Sequence, residues 1–209
     1  MTISFPRTDI LSVGFSDQTF TLMMRQEYSR TASGVTYGKD LGDPLWTATY
    51  TTQPLANDEA VAYEAKLNSL DGVIHPFEAG DLRKTAPRLY PAADFNDVAV
   101  IETIGTNNKS ISLSGLEAGF VLSVGDFLEF DYGTNRALHQ IMESVTADED
   151  GTTTEFEVRP HIRAGAEFGA PVRLKNPSAL MALQPGSIKV SASGGIHTVI
   201  SFGAIQVLT

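Results

Sequence analysis

The chain has 209 residues, of which 42% are hydrophobic and 19% are charged, so it can bury a sizeable core and is not a disordered protein. Asp and Glu number 25 against 15 Lys and Arg, and the net charge of −10 argues against binding to nucleic acid or to anionic membranes. Cysteine is absent, which excludes disulfides, thiolate metal sites and a cysteine nucleophile.

The N-terminal segment and the hydropathy pattern bear on location. Residues 1–7 lack the basic start and the apolar stretch of a secretory signal. No run approaches the roughly 20 apolar residues that a membrane-spanning helix needs. We therefore expect a chain that is made in the cytoplasm and stays soluble, unless another machine exports it.

The first half of the chain predicts strands. Short segments rich in Val, Thr and aromatic residues are separated by glycines and prolines, which is typical of β structure. Residues 19–28 and 45–52 each predict a strand, and 38–44 predict a turn between them. Because side chains alternate along a strand, each predicted strand has an apolar face. The two faces are Phe20, Leu22 and Met24 in the first strand, and Trp46, Ala48 and Tyr50 in the second.

One helix is predicted, beginning at Asn57 as its N-cap and stopping at Gly72. Acidic residues follow the cap directly, where the positive end of the helix dipole favours them. An apolar stripe with spacings of three and four predicts a face packed on a sheet rather than a cofactor site. The stripe consists of Ala60, Tyr63, Leu67 and Leu70.

The second half predicts a small barrel after a proline-rich junction at 79–91. Residues 137–145 and 152–160 predict a hairpin around the Asp-Gly turn at 148–151. Five or so strands over about 85 residues fit an OB-like barrel. The other predicted strands are 98–103, 110–113, 120–132, 171–174 and 179–183.

The last two predicted strands, 187–192 and 196–207, set the domain organisation. We expect them to return to the first domain and to complete its sandwich. The predicted organisation is then a mainly β chain with a β-sandwich domain at 1–91 and 186–209 that carries one α-helix, and an inserted barrel at 92–185.

Motifs for catalysis or cofactor binding are sparse. The four histidines, His75, His139, His161 and His197, lack the spacing of zinc sites. There is no nucleophile elbow, phosphate-binding loop or dinucleotide fingerprint. No catalytic, cofactor-binding or metal-binding residue is therefore assigned, although a triad built from distant residues stays open.

A partial calcium-loop pattern is the nearest match to a metal motif. Asp148, Asp150, Gly151 and Glu157 fall at its third, fifth, sixth and twelfth positions. Thr146 occupies the first position, where a carboxylate is expected, and the flanks predict strands rather than helices. We interpret this segment as an acidic hairpin tip.

Arg83, Lys84 and Arg88 form the densest basic group in the sequence. Two interpretations stay open for it. The group pairs with acidic residues of a neighbouring subunit, or it is a solvated loop.

Several short motifs resemble the distal tail proteins of long-tailed phages and gene-transfer-agent-like particles. In the first half they are Trp46-x-Ala48, Pro54-Leu55, the segment Leu67-Asn68-Ser69-Leu70-Asp71-Gly72, Pro76-Phe77, Gly80-Asp81 and Pro87. In the second half they are Val124-Gly125-Asp126-Phe127, Val158-Arg159-Pro160-x-Ile162-Arg163 and Pro177-x-x-Leu180-Met181.

The resemblance implies a structural protein of the virion tail tip, with no enzymatic activity and no cofactor. It implies a six-fold ring of β-sandwich belt domains, formed by copies of this chain, that joins the tail tube protein to the hub and tip proteins. It also implies a peripheral OB-like or galectin-like barrel. DNA passes through the lumen of such a ring, and the net charge suggests that acidic residues face it.

Two other functions stay open. A peripheral carbohydrate-binding or receptor-binding β-module needs exposed aromatic residues, for which Tyr132, Phe168 and Trp46 are candidates. A wall hydrolase needs two carboxylates facing one cleft, and 25 acidic residues make chance pairs easy.

Overall fold

The structure is a computed structural model that describes residues 3–91, 93–194 and 196–208. The chain is mainly β, with 46% of its residues in strands and 7% in helical conformation. It contains an open sheet with one helix and a second sheet that nearly closes into a barrel. The predicted fold class, a sandwich-type domain with one helix and an inserted barrel, is therefore confirmed.

The described residues contain fifteen strands, one α-helix and one short 3-10 helix, joined by turns and loops. The helices are the 3-10 helix Ile10–Ser12 and α1 (Asn57–Asn68). The strands before the barrel are β1 (Phe15–Arg30), β2 (Thr36–Thr52), β3 (Leu55–Ala56) and β4 (Phe77–Ala79). The barrel region holds β5 (Val100–Ile104), β6 (Ser110–Ser114), β7 (Val121–Leu122), β8 (Phe127–Tyr132), β9 (Asn135–Ile141), β10 (Val145–Thr146), β11 (Phe156–Arg159) and β12 (Val172–Arg173). The last strands are β13 (Ala179–Leu183), β14 (Lys189–Ser193) and β15 (His197–Gln206).

The open sheet combines strands from both ends of the chain. Its order is β1-β2-β15-β13-β4, and β3 and β14 also pair with β15. All of these pairings are antiparallel. The predicted apolar face of β2 is confirmed, because Trp46, Ala48 and Tyr50 are all buried.

Helix α1 covers part of this apolar face. The predicted stripe is confirmed, since Ala60, Tyr63, Leu67 and Leu70 all lie in the core of the sheet. The ends of the helix differ from the prediction. Ala56 is the N-cap, because the carboxamide of Asn57 accepts a hydrogen bond from the hydroxyl of Thr198. The helix ends at Asn68, and Leu70 is buried in the turn that follows.

The second sheet has the order β12-β8-β9-β11-β6-β5, and its two outer strands approach each other. The amide of Ile101 donates to the carbonyl of Ala170 at 3.0 Å, and the amide of Val172 donates to the carbonyl of Ala99 at 2.8 Å. The predicted hairpin is confirmed in part, because Val158 of β11 pairs with Ile141 of β9, whereas Val145 and Thr146 form β10 and pair with β7. The edges of this sheet are thus largely closed, as in a small barrel.

One predicted barrel strand belongs elsewhere. Residues 179–183 form β13, which pairs with β4 and β15 in the open sheet rather than in the barrel. Ala179, Met181 and Leu183 point into the core of that sheet, and this contact decides their place. The open sheet therefore takes up the chain again by residue 179, earlier than the predicted barrel end at 185.

The predicted turn at 38–44 is wrong. Strand β2 begins at Thr36 and passes through this region, and the chain turns instead at Thr31–Val35. Gly42 (φ +148°) and Pro44, which suggested the turn, lie at an irregular part of the ladder, where bulges absorb them. Met24, predicted to share a face with Phe20, is 52% exposed, because β1 packs on no core beyond this point.

An aromatic cluster joins the barrel to the open sheet. The indole Nε1–H of Trp46 donates to the carbonyl of Leu138 in β9 at 2.7 Å. The ring of Trp46 stacks on Phe20 and meets Phe127 of β8 edge-on. Phe127 and Leu138 thus belong to the core of the open sheet, although their strands belong to the barrel.

A buried ion cluster forms a second link between the two sheets. Glu129 of β8 is 1% exposed and pairs with Arg136 and Arg173. Arg136 also pairs with Glu78 of β4 at 2.9 Å, which carries the cluster into the open sheet. Burial holds the pKa of Glu129 above its ordinary value despite the two guanidinium groups beside it.

Replacement of Arg136 tests this link. We expect Arg136→Met to lower the free energy of unfolding by about 2 kcal/mol, because it leaves two buried or half-buried carboxylates with fewer donors. Urea unfolding at pH 7 measures the change. Arg88→Met is the matched control, because Arg88 is exposed, and it should leave the midpoint unchanged. Equal midpoints for the two variants would contradict the role of the cluster.

The buried His139 makes the stability of the fold depend on pH. Its Nδ1 lies 2.8 Å from the carbonyl of Pro160, and its Nε2 has no hydrogen-bond partner among the described residues. Burial lowers the pKa of His139 to about 4. Because the unfolded chain takes up this proton near pH 6.5, the stability is complete above that pH, falls as the pH drops toward 4 and then levels off.

We expect this histidine to remove about 2 kcal/mol of stability between pH 7 and pH 4.5. Urea unfolding at both pH values should show a smaller loss for His139→Phe than for the unchanged chain. His197→Phe is the control, since His197 is exposed, and it should keep the original dependence. An unchanged pH dependence in His139→Phe would rule out the assignment.

Candidate assembly surface

The most prominent exposed feature is a hairpin arm, defined here as residues 24–41. It consists of the far end of β1, the turn and the beginning of β2, and every one of its residues is exposed. A two-stranded ribbon without a packed face is only marginally stable in water. The arm nevertheless carries five large exposed hydrophobic side chains, which are Met24, Tyr28, Val35, Tyr37 and Leu41.

The root of the arm is held by the barrel. The guanidinium of Arg163 donates to the carbonyl of Pro44 at 2.9 Å and lies 3.4 Å from the carboxylate of Asp43. At the same place a Cβ on Gly42 would lie 3.0 Å from the guanidinium of Arg25, at a φ that favours glycine. The direction of the arm is therefore set by contacts to the body of its own chain.

Four of the described strands of the open sheet, β1, β3, β4 and β14, have one partner strand each, and β4 is covered on its other side by a bridge from Arg7 to Phe77. The edges of β1 and β14 are the ones considered for assembly. Among the described residues, β1 pairs only with β2, and β14 pairs only with β15. All five residues of β14 are exposed. Successive antiparallel pairings from β1 through β2 and β15 make β14 run opposite to β1. A second copy placed beside the first in the same orientation would therefore bring its β1 antiparallel to β14.

The outer face of the open sheet is lined with hydroxyl groups. Thr19 pairs with Thr49 and Thr21 with Thr47, and the two hydroxyls of the second pair are 3.2 Å apart. Strand β15 adds Ser201 opposite Thr51. By register, Asp17 and Lys189 share this face, and their charges cancel. By the same register the face also holds Glu78, whose carboxylate pairs with Arg136, and the apolar side chains Met23, Leu45, Val199 and Ile205. It is thus a mixed face on which the exposed Asp17 and Lys189 are opposite in sign.

The acidic segment at 148–151 forms a tight turn. The carboxylate of Asp148 accepts backbone N–H groups from Asp150 at 3.0 Å and Thr152 at 2.8 Å. Thr146 lies in β10 and Glu157 in β11, so the flanks are strands. Within 3–91, 93–194 and 196–208 there is no group of three or more His, Cys, Asp or Glu residues that could hold a metal ion.

The basic group at 83–88 borders an open depression of about 410 Å³. Arg83 pairs with Asp81 at 2.7 Å, and the ammonium of Lys84 donates to the carbonyl of Gly125 at 2.8 Å. Lys84 also lies over the ring of Phe127. Two of the three basic side chains therefore have partners within their own chain. The two interpretations, a solvated loop or pairing with a neighbouring subunit, now apply mainly to Arg88, which is exposed.

The candidate aromatic residues do not come together. Trp46 and Tyr132 are buried, and Phe168 is 74% exposed. The four histidines are also scattered: His75 stacks on Phe5, His139 is buried in the barrel, and His161 and His197 are exposed. No helix in the described part of the chain is long and apolar enough to cross a membrane.

The arm is the feature that sequence reasoning missed. Gly38, Gly42 and Pro44 suggested a turn in a place where the chain is extended. A signal for the correct turn was present in Ala32-Ser33-Gly34, because serine and glycine favour turns. The segments on either side contain tyrosines, which are common in strands. The amide of Gly34 donates to the carbonyl of Thr31 at 2.9 Å, which closes this turn.

In comparisons with known proteins, no family model and no curated protein matches the chain.

Proposed function

We propose that this chain is a structural subunit of a phage-type tail tip and that it assembles head-to-tail with copies of itself into a ring. The observation that carries the proposal is the pair of exposed edges of β1 and β14, which lie on opposite sides of β15 in one sheet and run antiparallel to each other. Contacts between two different patches of identical subunits give a closed ring when the rotation between copies is suitable. The sequence resemblance supports six copies.

Several features support an assembly role for the free edges. Unpaired strand edges are hazards that proteins usually cover or charge. β14 carries one charged residue, Lys189, and its Val190 is exposed. Burial of this edge against β1 of the next copy would satisfy the free backbone groups of both strands.

The hydroxyl face supports a channel role. In the proposed ring this face lines the lumen, between the tail tube protein on one side and the hub and tip proteins on the other. Asp17 and Lys189 on this face are opposite in sign and Glu78 is paired with Arg136, so the proposed channel is nearly neutral, in contrast to the acidic lumen expected from net charge alone. A neutral hydroxyl surface gives passing DNA few strong contacts, because phosphate binding relies on clustered basic side chains.

The carbohydrate-binding alternative has less support. Of its three candidate aromatic residues, one is exposed and two are buried. A sugar-stacking platform built from these residues would therefore contain a single ring.

Substitutions at the two edges test the head-to-tail contact. We expect Val190→Lys with Ala192→Lys on β14 to weaken self-association at least tenfold, because charged side chains at an edge oppose strand pairing. Thr19→Lys with Thr21→Lys should do the same on β1. Native mass spectrometry and sedimentation over a concentration series measure the association. Val61→Lys on the exposed side of α1 is the control and should associate normally.

A mixture of the two edge variants separates head-to-tail from symmetric contacts. Each variant keeps the edge that the other lacks, so an equimolar mixture should form heterodimers and no larger species. No heterodimer in the mixture contradicts a β1–β14 contact. A wild-type chain that is monomeric at every concentration contradicts the ring itself.

A further inference from the structure

The arm carries tyrosines on both of its faces. Tyr28 lies opposite Gly38, and Tyr37 lies opposite Ser29. Directly opposed residues of an antiparallel ladder share a face, whereas neighbours along a strand point to opposite faces. Tyr28 and Tyr37 therefore project from opposite faces of the ribbon, where they are 75% and 62% exposed.

The residues across from these tyrosines leave the rings uncovered. Gly38 has no side chain, and Ser29 has a small one. Each aromatic ring therefore projects beyond its small cross-strand neighbour, and this shape suits insertion into a pocket of a partner. A flat docking surface would bury one ring and leave the other in water, whereas a cleft with two walls would bury both.

Charge favours a second copy of this chain as the partner. The arm contains Arg25, Arg30 and Lys39 against Glu27 and Asp40, which gives it a charge of +1. The total of −10 then leaves −11 on the rest of the chain. An arm of opposite sign is attracted to the acidic bodies of neighbouring copies, and this attraction steers association.

We infer that the arm inserts between two neighbouring copies of this chain, with Tyr28 packed against one and Tyr37 against the other. The inference rests on the proposed self-assembly and adds a second contact to it, made by the two tyrosine side chains of the arm rather than by backbone pairing of β1 with β14. Arg163 and Asp43 aim the arm, so the contact needs no refolding of the ribbon. Buried tyrosines supply large contact area at a small loss of side-chain entropy.

Photocrosslinking in the full chain tests both walls. The probe is p-benzoylphenylalanine, placed at position 28 or at position 37 in separate samples. Each probe should crosslink to a second copy, and mass spectrometry should find the two attachment points on different surfaces of the body. Attachment of both probes to one surface, attachment only within the same copy, or no crosslink would overturn the inference.

Association measurements separate this inference from the ring. Tyr28→Ser and Tyr37→Ser should each weaken self-association about tenfold while the melting temperature stays unchanged, because neither residue lies in a core. Phe168→Ser, at a similarly exposed aromatic residue, is the control and should associate normally. If replacing residues 24–41 by Asn-Gly leaves ring formation unchanged, the arm contact is wrong and the ring stands. If the unaltered chain never associates, both proposals fail.

Discussion

The burial of Trp46 is the constraint on which the rest of the structure depends. An indole N–H that is removed from water needs an acceptor, and here the acceptor is the carbonyl of Leu138 in the barrel. The open sheet therefore cannot complete its own core without β9. The same contact places Phe127 against Trp46 and brings Glu129 within reach of the strand that carries Glu78. One aromatic ring thus determines where two sheets meet and which surfaces stay exposed.

Periodicity predicted the parts of the fold that depend on local burial. The stripe on α1 and the apolar face of β2 follow from spacing alone, because one face of each element meets a core. The insertion was also visible, since strands from the two ends of the chain surround a barrel-sized segment. Residues 179–183 were misplaced because their pairing with β4 is set by a partner about a hundred positions away.

The proposed assembly surface was harder to predict for a physical reason. The arm has no core to pack against, so its exposed residues show no apolar alternation that would mark one face as buried. The free edges are properties of topology, and a single strand does not reveal whether its outer backbone groups are paired. The row of hydroxyl groups on the outer face likewise depends on register, which brings threonines of β1 and β2 together.

The position of the insertion has a consequence for how such a chain can change over evolution. The barrel leaves the open sheet after Ala79 and the chain rejoins it at Ala179, and these two residues are direct partners in the ladder. Entry and exit therefore lie side by side, so a gene segment encoding a different module can be exchanged here without threading the chain through a new path. The replacement would have to bring its own acceptor for Trp46 and its own cover for Phe20. The open sheet accordingly accepts only inserted domains that complete the hydrophobic core between the two.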